Sequence, residues 1–342
     1  MRPPVQRVNA LTAIVDSLHV DDAVFPLTGH QFAGPDDEIV THPEAWRNLV
    51  KFEKTATGCR WHYRVGGVEI ERSLRLLWRR DVAVIEYRIS PTEQNGLSDR
   101  DVRLRVRPLV ALRDFHALRQ EDEYAPWHVA SEATTVAIRT AGSPTLKIAG
   151  DAGTFDEKLE WWYRFRYQVE TDRGQDDTED LLSPGCFEYE APAGEGGLRI
   201  AAAVEPFDWD ELETADGRES HLRKFVAHVT GATEADDPAR REALASLAVA
   251  SDDFVVERRV DDEPFSTILA GYPWFADWGR DTMIALPGLL LATGRHDEAR
   301  RTLRTFAGAI RRGLVPNRFD DYGGEPHYNT VDASLWFVHA AT

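Results

Sequence analysis

Alternation of apolar and polar positions dominates the first two-thirds of the chain. RLRVRPLV (103–110) places Leu104 and Val106 on one face and Arg103, Arg105 and Arg107 on the other. That is the period of a half-buried antiparallel strand. WWYRFRY (161–167) alternates as well, with Trp161, Tyr163, Phe165 and Tyr167 on one side and Trp162, Arg164 and Arg166 on the other. RWHYRVGGVEIERSLRLLW (60–78) holds two such runs broken at Gly66-Gly67, which predicts a hairpin. Further strands are expected over 81–89, 134–140, 145–150, 198–204 and 221–231. TDRGQDDTED (171–180) reads as an exposed loop. Many strands with polar turns between them predict a large antiparallel β-sandwich.

Near residue 232 the period changes. DDPARREALASLAVAS (236–251) offers Asp237 as N-cap and Pro238 at the first helical position. DTMIALPGLLLATG (281–294) is apolar nearly all round and ends in Gly294, which predicts a helix buried on several sides. In HDEARRTLRTFAGAIRRG (296–313), Ala299, Leu303, Phe306 and Ile310 form an apolar stripe, and Gly313 and Pro316 are expected to end the helix. A last helix is expected from Thr330. The predicted organisation is a β domain over 1–232 followed by a helical region over 233–342. No internal repeat is visible.

The chain has 342 residues and a formal net charge of −18. Such a surface repels phosphate backbones and anionic lipid, so neither nucleic acid nor membrane is an expected partner. A neutral polysaccharide is indifferent to that charge. The two cysteines, Cys59 and Cys186, carry no partner motif, so neither a disulfide framework nor a metal site is expected. No signal peptide or membrane-length apolar run is present, which makes a cytoplasmic location the expectation. Ten tryptophans against two methionines is a heavy aromatic load. It suits large cores, or platforms on which sugar rings stack.

Chemistry concentrates in two stretches. GYPWFADWGRD (271–281) brings together Trp274, Phe275, Trp278, Asp277, Arg280 and Asp281. Aromatic rings can stack against the apolar face of a pyranose while carboxylates and a guanidinium take its hydroxyls, the usual division of labour in a small-ligand pocket. The plain structural alternative is a turn into a buried helix, with Asp281 as N-cap and the tryptophans as core. LVPNRFDDYGGEPHYNTVDASLWF (314–337) is a second loop entering a helix and carries Asn317, Arg318, Glu325, His327, Tyr328, Asn329 and Trp336. Thr330 is a natural N-cap, which puts Asp332 in the first turn, where an aspartate can simply complement the helix dipole. RPLVALRDFHAL (107–118) offers Arg113, Asp114 and His116, read as a strand-end ion pair that shapes a loop. No glycine-rich phosphate loop is present.

AGYPWFADWGRDTMIALPGLLLATG followed by GLVPNRFDDYGGEPHYNTVDASLWF resembles the glycogen debranching enzymes of the bacterial and archaeal type. These are amylo-α-1,6-glucosidases of glycoside hydrolase family 133. RPLVALRDFHAL resembles the strand-end motif of the same family's N-terminal domain. The resemblance implies a β-sandwich followed by the first helices of an (α/α)6 toroid, acting on glycogen or limit dextrin and needing no cofactor. It implies inverting hydrolysis of an α-1,6-linked glucose. It makes Asp332 the general acid, and Trp278, Arg280 and Asp281 glucose-binding residues, with Asn317, Arg318 and Tyr328 matching less closely. Trp274, Asn329 and Trp336 join them as substrate-binding candidates, from their place beside these residues.

Family members open with a glycine-rich segment that this chain lacks, and continue for most of a toroid after VDASLW. The resemblance therefore implies a fragment truncated at both ends, with the second carboxylate beyond Thr342 and no activity for this chain alone. An inverting glycosidase needs its acid protonated near neutrality, so the pocket of Asp332 must be desolvated or crowded by a carboxylate such as Asp281 or Glu325. Two other readings stay open. One is another (α/α)6 glycosidase, glucoamylase- or trehalase-like; the other is a non-catalytic carbohydrate-binding sandwich.

Overall fold

The computed structural model describes residues 7–92, 100–121, 126–214, 217–231, 237–260, 263–272, 275–320 and 324–342. Two compact units emerge, one spanning Val8–Arg218 and the other holding Glu219–Thr342.

The first unit is built from two antiparallel sheets. One takes its strands in the order Ala23–Pro26, Val8–Val20, Val102–Asp114, Thr178–Glu190, Thr154–Arg166, His30–Ala33 and Ile39–His42. The other runs His128–Glu132, Thr135–Arg139, Leu146–Gly150, Gly196–Ala203, Val82–Pro91, Val68–Leu76, Gly58–Val65 and Leu49–Lys54. Alternation explains why they pack. Leu104 and Val106 of the first sheet share one core with Ile70, Tyr87 and Ile200 of the second. Fully buried Asp16 of the first sheet accepts hydrogen bonds from Arg72 Nη1 and Tyr87 Oη of the second, both at 2.8 Å. A buried charge is tolerated only when paired and hydrogen-bonded, and here it is both. Gly66 and Gly67 close the predicted hairpin with φ of 59° and 86°, the positive pair a tight two-residue turn requires.

Several expectations fail in this unit. The alternation read over 161–167 is broken by a bulge between Trp162 and Phe165, where Arg164 takes φ 61°. An extra residue flips the faces downstream. Trp161 packs on the inter-sheet core, whereas Trp162, Phe165 and Tyr167 join a separate cluster with Leu109 and Leu181. The loop expected over 171–180 ends early, because Thr178–Glu190 is a strand and Glu179 and Asp180 are buried in it. Around residue 113 the ion-pair partner is one the local motif did not indicate: Arg113 pairs with Glu179 of the adjacent strand, while the Asp114 side chain accepts from the His116 backbone N–H at 2.9 Å.

Helices are α1 (Gln168–Asp172), α2 (Trp209–Thr214), α3 (Gly217–Gly231), α4 (Pro238–Asp253), α5 (Gly279–Leu286), α6 (His296–Gly308) and α7 (Asp332–Ala341). The strand expected over 221–231 is thus wrong; it is α3. Leu222, Phe225, Val226 and Val229 lie three, four and seven apart, a helical face that short-range alternation disguised. Leu222 and Phe225 are buried, and Glu219 pairs with Arg223 one turn on. Helix α4 starts as expected, with the Asp237 carboxylate accepting from Ala239 N.

Between α4 and α5 lies an antiparallel hairpin, Val255–Val260 with Glu263–Ile268, inside the region expected to be helical. The apolar segment after Asp281 is not one regular helix. Pro287 lacks the N–H that would continue α5, and Pro287–Leu291 widens into a π-helical turn. Met283, Leu286 and Leu290 are fully buried there with Phe306 of α6. Helix α6 ends at Gly308 rather than Gly313, so Ile310 leaves the expected stripe and is exposed. No helix among the described residues is long and apolar enough to cross a membrane.

Candidate functional site

The two chemistry-bearing stretches meet backbone to backbone. Gly279 N donates to Asn317 O at 2.7 Å, Asn317 N to His327 O at 2.8 Å, and His327 N to Arg318 O at 2.9 Å. Trp278 and Arg318 form an isolated antiparallel bridge, as do Arg318 and His327. Only glycine permits this approach: a Cβ on Gly279 would lie 2.2 Å from Pro316 O. The WGRD segment is therefore laid directly against the Pro316–Arg318 segment. Val315 N, donating to Ser334 Oγ at 2.9 Å, ties that segment to α7.

This scaffold aims Arg280, at the second position of α5, toward Asp332, at the first position of α7. Arg280 Nη2 donates to Asp332 Oδ1 at 2.9 Å, and Arg280 Nε lies 2.7 Å from Oδ2. The Thr330 hydroxyl donates to the same Oδ1 and accepts from Arg280 Nη2 at 3.2 Å. The pair is open to solvent, with 45% and 44% of the two side chains exposed. Hydrogen bonds from Arg280 first, then Thr330, hold the Asp332 carboxyl below the ordinary aspartate value. The same contact raises Arg280, with Asp281 adding to the negative field around it. Hence neither condition for a raised Asp332 is met by the residues around it here. It is not desolvated, and Glu325 is turned to Arg311 instead.

The remaining candidates divide. Trp278 is half-buried, with Phe275 edge-on to it at 6.0 Å. Trp274 lies outside the described residues. Asp281 lies in the first turn of α5 rather than at its cap, and lines a groove with Gly271, Ile284, Ala285 and Gly288. Asn317 is buried, and its amide donates to Asn329 Oδ1 at 3.1 Å. Arg318 Nη2 lies 2.9 Å from His327 Nε2. The Tyr328 hydroxyl donates to Ala309 O at 2.7 Å, which anchors its loop. Trp336 is partly exposed, edge-on to His339 at 5.7 Å.

Three contributors escaped the sequence reading. Gly279 was one letter of a motif, with no sign of which backbone it approaches. Ser334 stands in an apolar helix. Thr330 was taken for an N-cap, but the cap position is Val331, no side chain caps the helix, and the Thr330 hydroxyl is spent on Asp332. A threonine two residues before an aspartate was the only signal available. Among the described residues, no group of three or more His, Cys, Asp or Glu side chains could hold a metal ion.

The comparisons with known proteins agree with this organisation. Residues 1–196 match the family model described as glycogen debranching enzyme N terminal, and residues 249–342 match that of amylo-alpha-1,6-glucosidase. Over 83 residues the chain is 42% identical to the glycogen debranching enzyme of Saccharomyces cerevisiae (strain ATCC 204508 / S288c), covering 23% of this chain and 5% of that protein. A bacterial glucoamylase solved in complex with acarbose superposes with a TM-score of 0.52 over 98% of this chain and 51% of its own, at 12% identity. That likeness concerns the fold alone. The chain spans about half the length of the glucoamylase and 5% of the yeast protein. With one family model covering residues 1–196 and a second covering 249–342, the chain belongs to the glycogen debranching enzyme family.

Proposed function

We propose that these residues form part of the glucose-cleaving site of an amylo-α-1,6-glucosidase, which hydrolyses α-1,6-linked glucose on glycogen or limit dextrin with inversion. The observation that carries the reading is the Arg280–Asp332 pair. It joins two stretches 52 residues apart in sequence and leaves a carboxylate and a guanidinium open to a ligand. In this reading the β unit, Val8–Arg218, is a sandwich domain, and the helical unit, Glu219–Thr342, begins an (α/α)6 toroid. Trp278, Arg280 and Asp281 bind glucose. Asn317, Tyr328 and Asn329 shape the loop that carries Asp332, because the Asn317 amide and the Tyr328 hydroxyl are already engaged within the protein.

Asp332 acts as general acid, protonating the leaving oxygen. Arg280 opposes that role while it rests on the carboxylate. Proton donation therefore follows only once glucan hydroxyls draw Arg280 away and burial under the sugar disfavours the charged form. The water-activating carboxylate must stand about 6.5–9.5 Å from the acid. Among the described residues none is assigned to that role in the catalytic domain.

The test is Asp332→Asn in a longer polypeptide carrying these residues together with the rest of that domain. An acid role predicts that kcat on limit dextrin falls by about 10²–10⁴-fold with dextrin affinity retained. The ion pair itself favours a second reading, in which Asp332 stays ionised and binds a sugar hydroxyl. That reading predicts the opposite split: weaker binding, with kcat at saturation preserved.

A further inference from the structure

We infer that Thr330 is a positioning residue for Asp332, holding the carboxylate so that only Oδ2 keeps an open lone pair toward solvent. This rests on Asp332 being the acid of the proposed site. The contacts divide unevenly between the two carboxylate oxygens. Oδ1 accepts from Thr330 Oγ1 and from Arg280 Nη2, at 2.9 Å for the latter, while Oδ2 faces Arg280 Nε at 2.7 Å. A carboxylate oxygen accepts about two hydrogen bonds in its own plane. Oδ1 is therefore saturated by the protein, and Oδ2 is the oxygen on which a proton for a leaving group is carried.

Thr330 is suited to this by what it does not do. A threonine at a helix start ordinarily caps a backbone N–H. Here Val331 occupies the cap position with no side-chain cap bond. The single hydroxyl proton of Thr330 goes instead to Asp332, and a lone pair on the same oxygen accepts from Arg280 Nη2 at 3.2 Å. The hydroxyl thus sits between guanidinium and carboxylate and touches both. When Arg280 turns to a ligand, Thr330 is the contact left on Oδ1, so the carboxylate stays oriented through the exchange.

The test needs no turnover. In the 342-residue chain with selectively labelled aspartate, the Asp332 side-chain carbon is titrated and its Hα–Hβ couplings are measured. The wild type is expected to titrate below ordinary aspartate and to show one rotamer. Thr330→Val is expected to shift the midpoint upward and to average the couplings; Thr330→Ser is expected to restore both. A Thr330→Val variant that titrates and couples like wild type overturns the assignment. So does a folded Thr330→Ser variant that behaves as if the hydroxyl were absent, which keeps the test decisive if valine impairs folding. Failure of the acid role is read elsewhere, in the kinetics of Asp332→Asn, and leaves these spectra unchanged.

Discussion

Glu179 has no exposed surface, and four donors converge on it. Arg113 gives Nε and, at 2.9 Å, Nη2; Tyr167 Oη donates at 2.7 Å; and Arg119 N donates at 3.2 Å. Removing one partner of a buried pair strands the other charge, so Glu179→Ala is expected to cost about 3–5 kcal/mol in urea denaturation. A loss within about 0.5 kcal/mol, typical of surface changes, would contradict that account. His30 gives a pH signature. Burial pushes its imidazole below the ordinary value of 6.5, while its Nε2 lies 2.9 Å from Ile14 O. Protonation is therefore easier in the unfolded chain. The stability contributed by neutral His30 is full above 6.5 and declines as pH falls toward the folded value. Comparing denaturation midpoints on both sides of that pH should show a slope that His30→Gln flattens.

At the scale of elements, Gly279 controls whether the two site-bearing stretches can touch. Gly279→Ala would drive a Cβ to 2.2 Å from Pro316 O, so the Trp278–Arg318 bridge must open. Hydrogen exchange at the backbone amide of position 279 and at His327 N is expected to accelerate, with little change in the β unit. The N-cap of α4 is a milder case: Asp237→Ala should cost about 1 kcal/mol of local helix stability, read from exchange within α4. These two cases also mark what the sequence could reveal. Asp237-Pro238 is a local signal, and the helix starts where it points. Gly66-Gly67 is another, and the hairpin turns there. By contrast, α3 was read as a strand because a few residues of Phe225 and its neighbours alternate as well as they recur at helical spacing. Glu179 and Asp180 were read as loop because their burial depends on Arg113 and Arg119, about sixty residues away. Long-range pairing leaves no mark at the residue it buries. The meeting of Arg280 with Asp332 belongs to that class: each residue was legible as a candidate, but their contact was not.

For the whole molecule, the fold is a two-sheet β unit followed by a helical unit with one inserted hairpin, and both halves match the glycogen debranching enzyme family. The helical unit leaves apolar surface open on α7, where Leu335 and Val338 are exposed. The proposed site occupies the starts of α5 and α7, where the two motif-bearing loops are joined by the Gly279–Asn317 backbone contact. With a net charge of −18, binding of a neutral glucan should vary little with ionic strength, since no counterions are released from the ligand. A steep salt dependence would point to a charged ligand instead.

The central claim is that Asp332 delivers the proton to the departing sugar oxygen. Its most direct test compares two leaving groups in a catalytically complete polypeptide bearing Asp332→Asn. Limit dextrin leaves as an alcohol and needs protonation; α-glucosyl fluoride leaves as fluoride and does not. The account predicts a loss of about 10²–10⁴-fold on limit dextrin and near-normal turnover of the fluoride. Equal losses on both substrates, or no loss on dextrin, would contradict it.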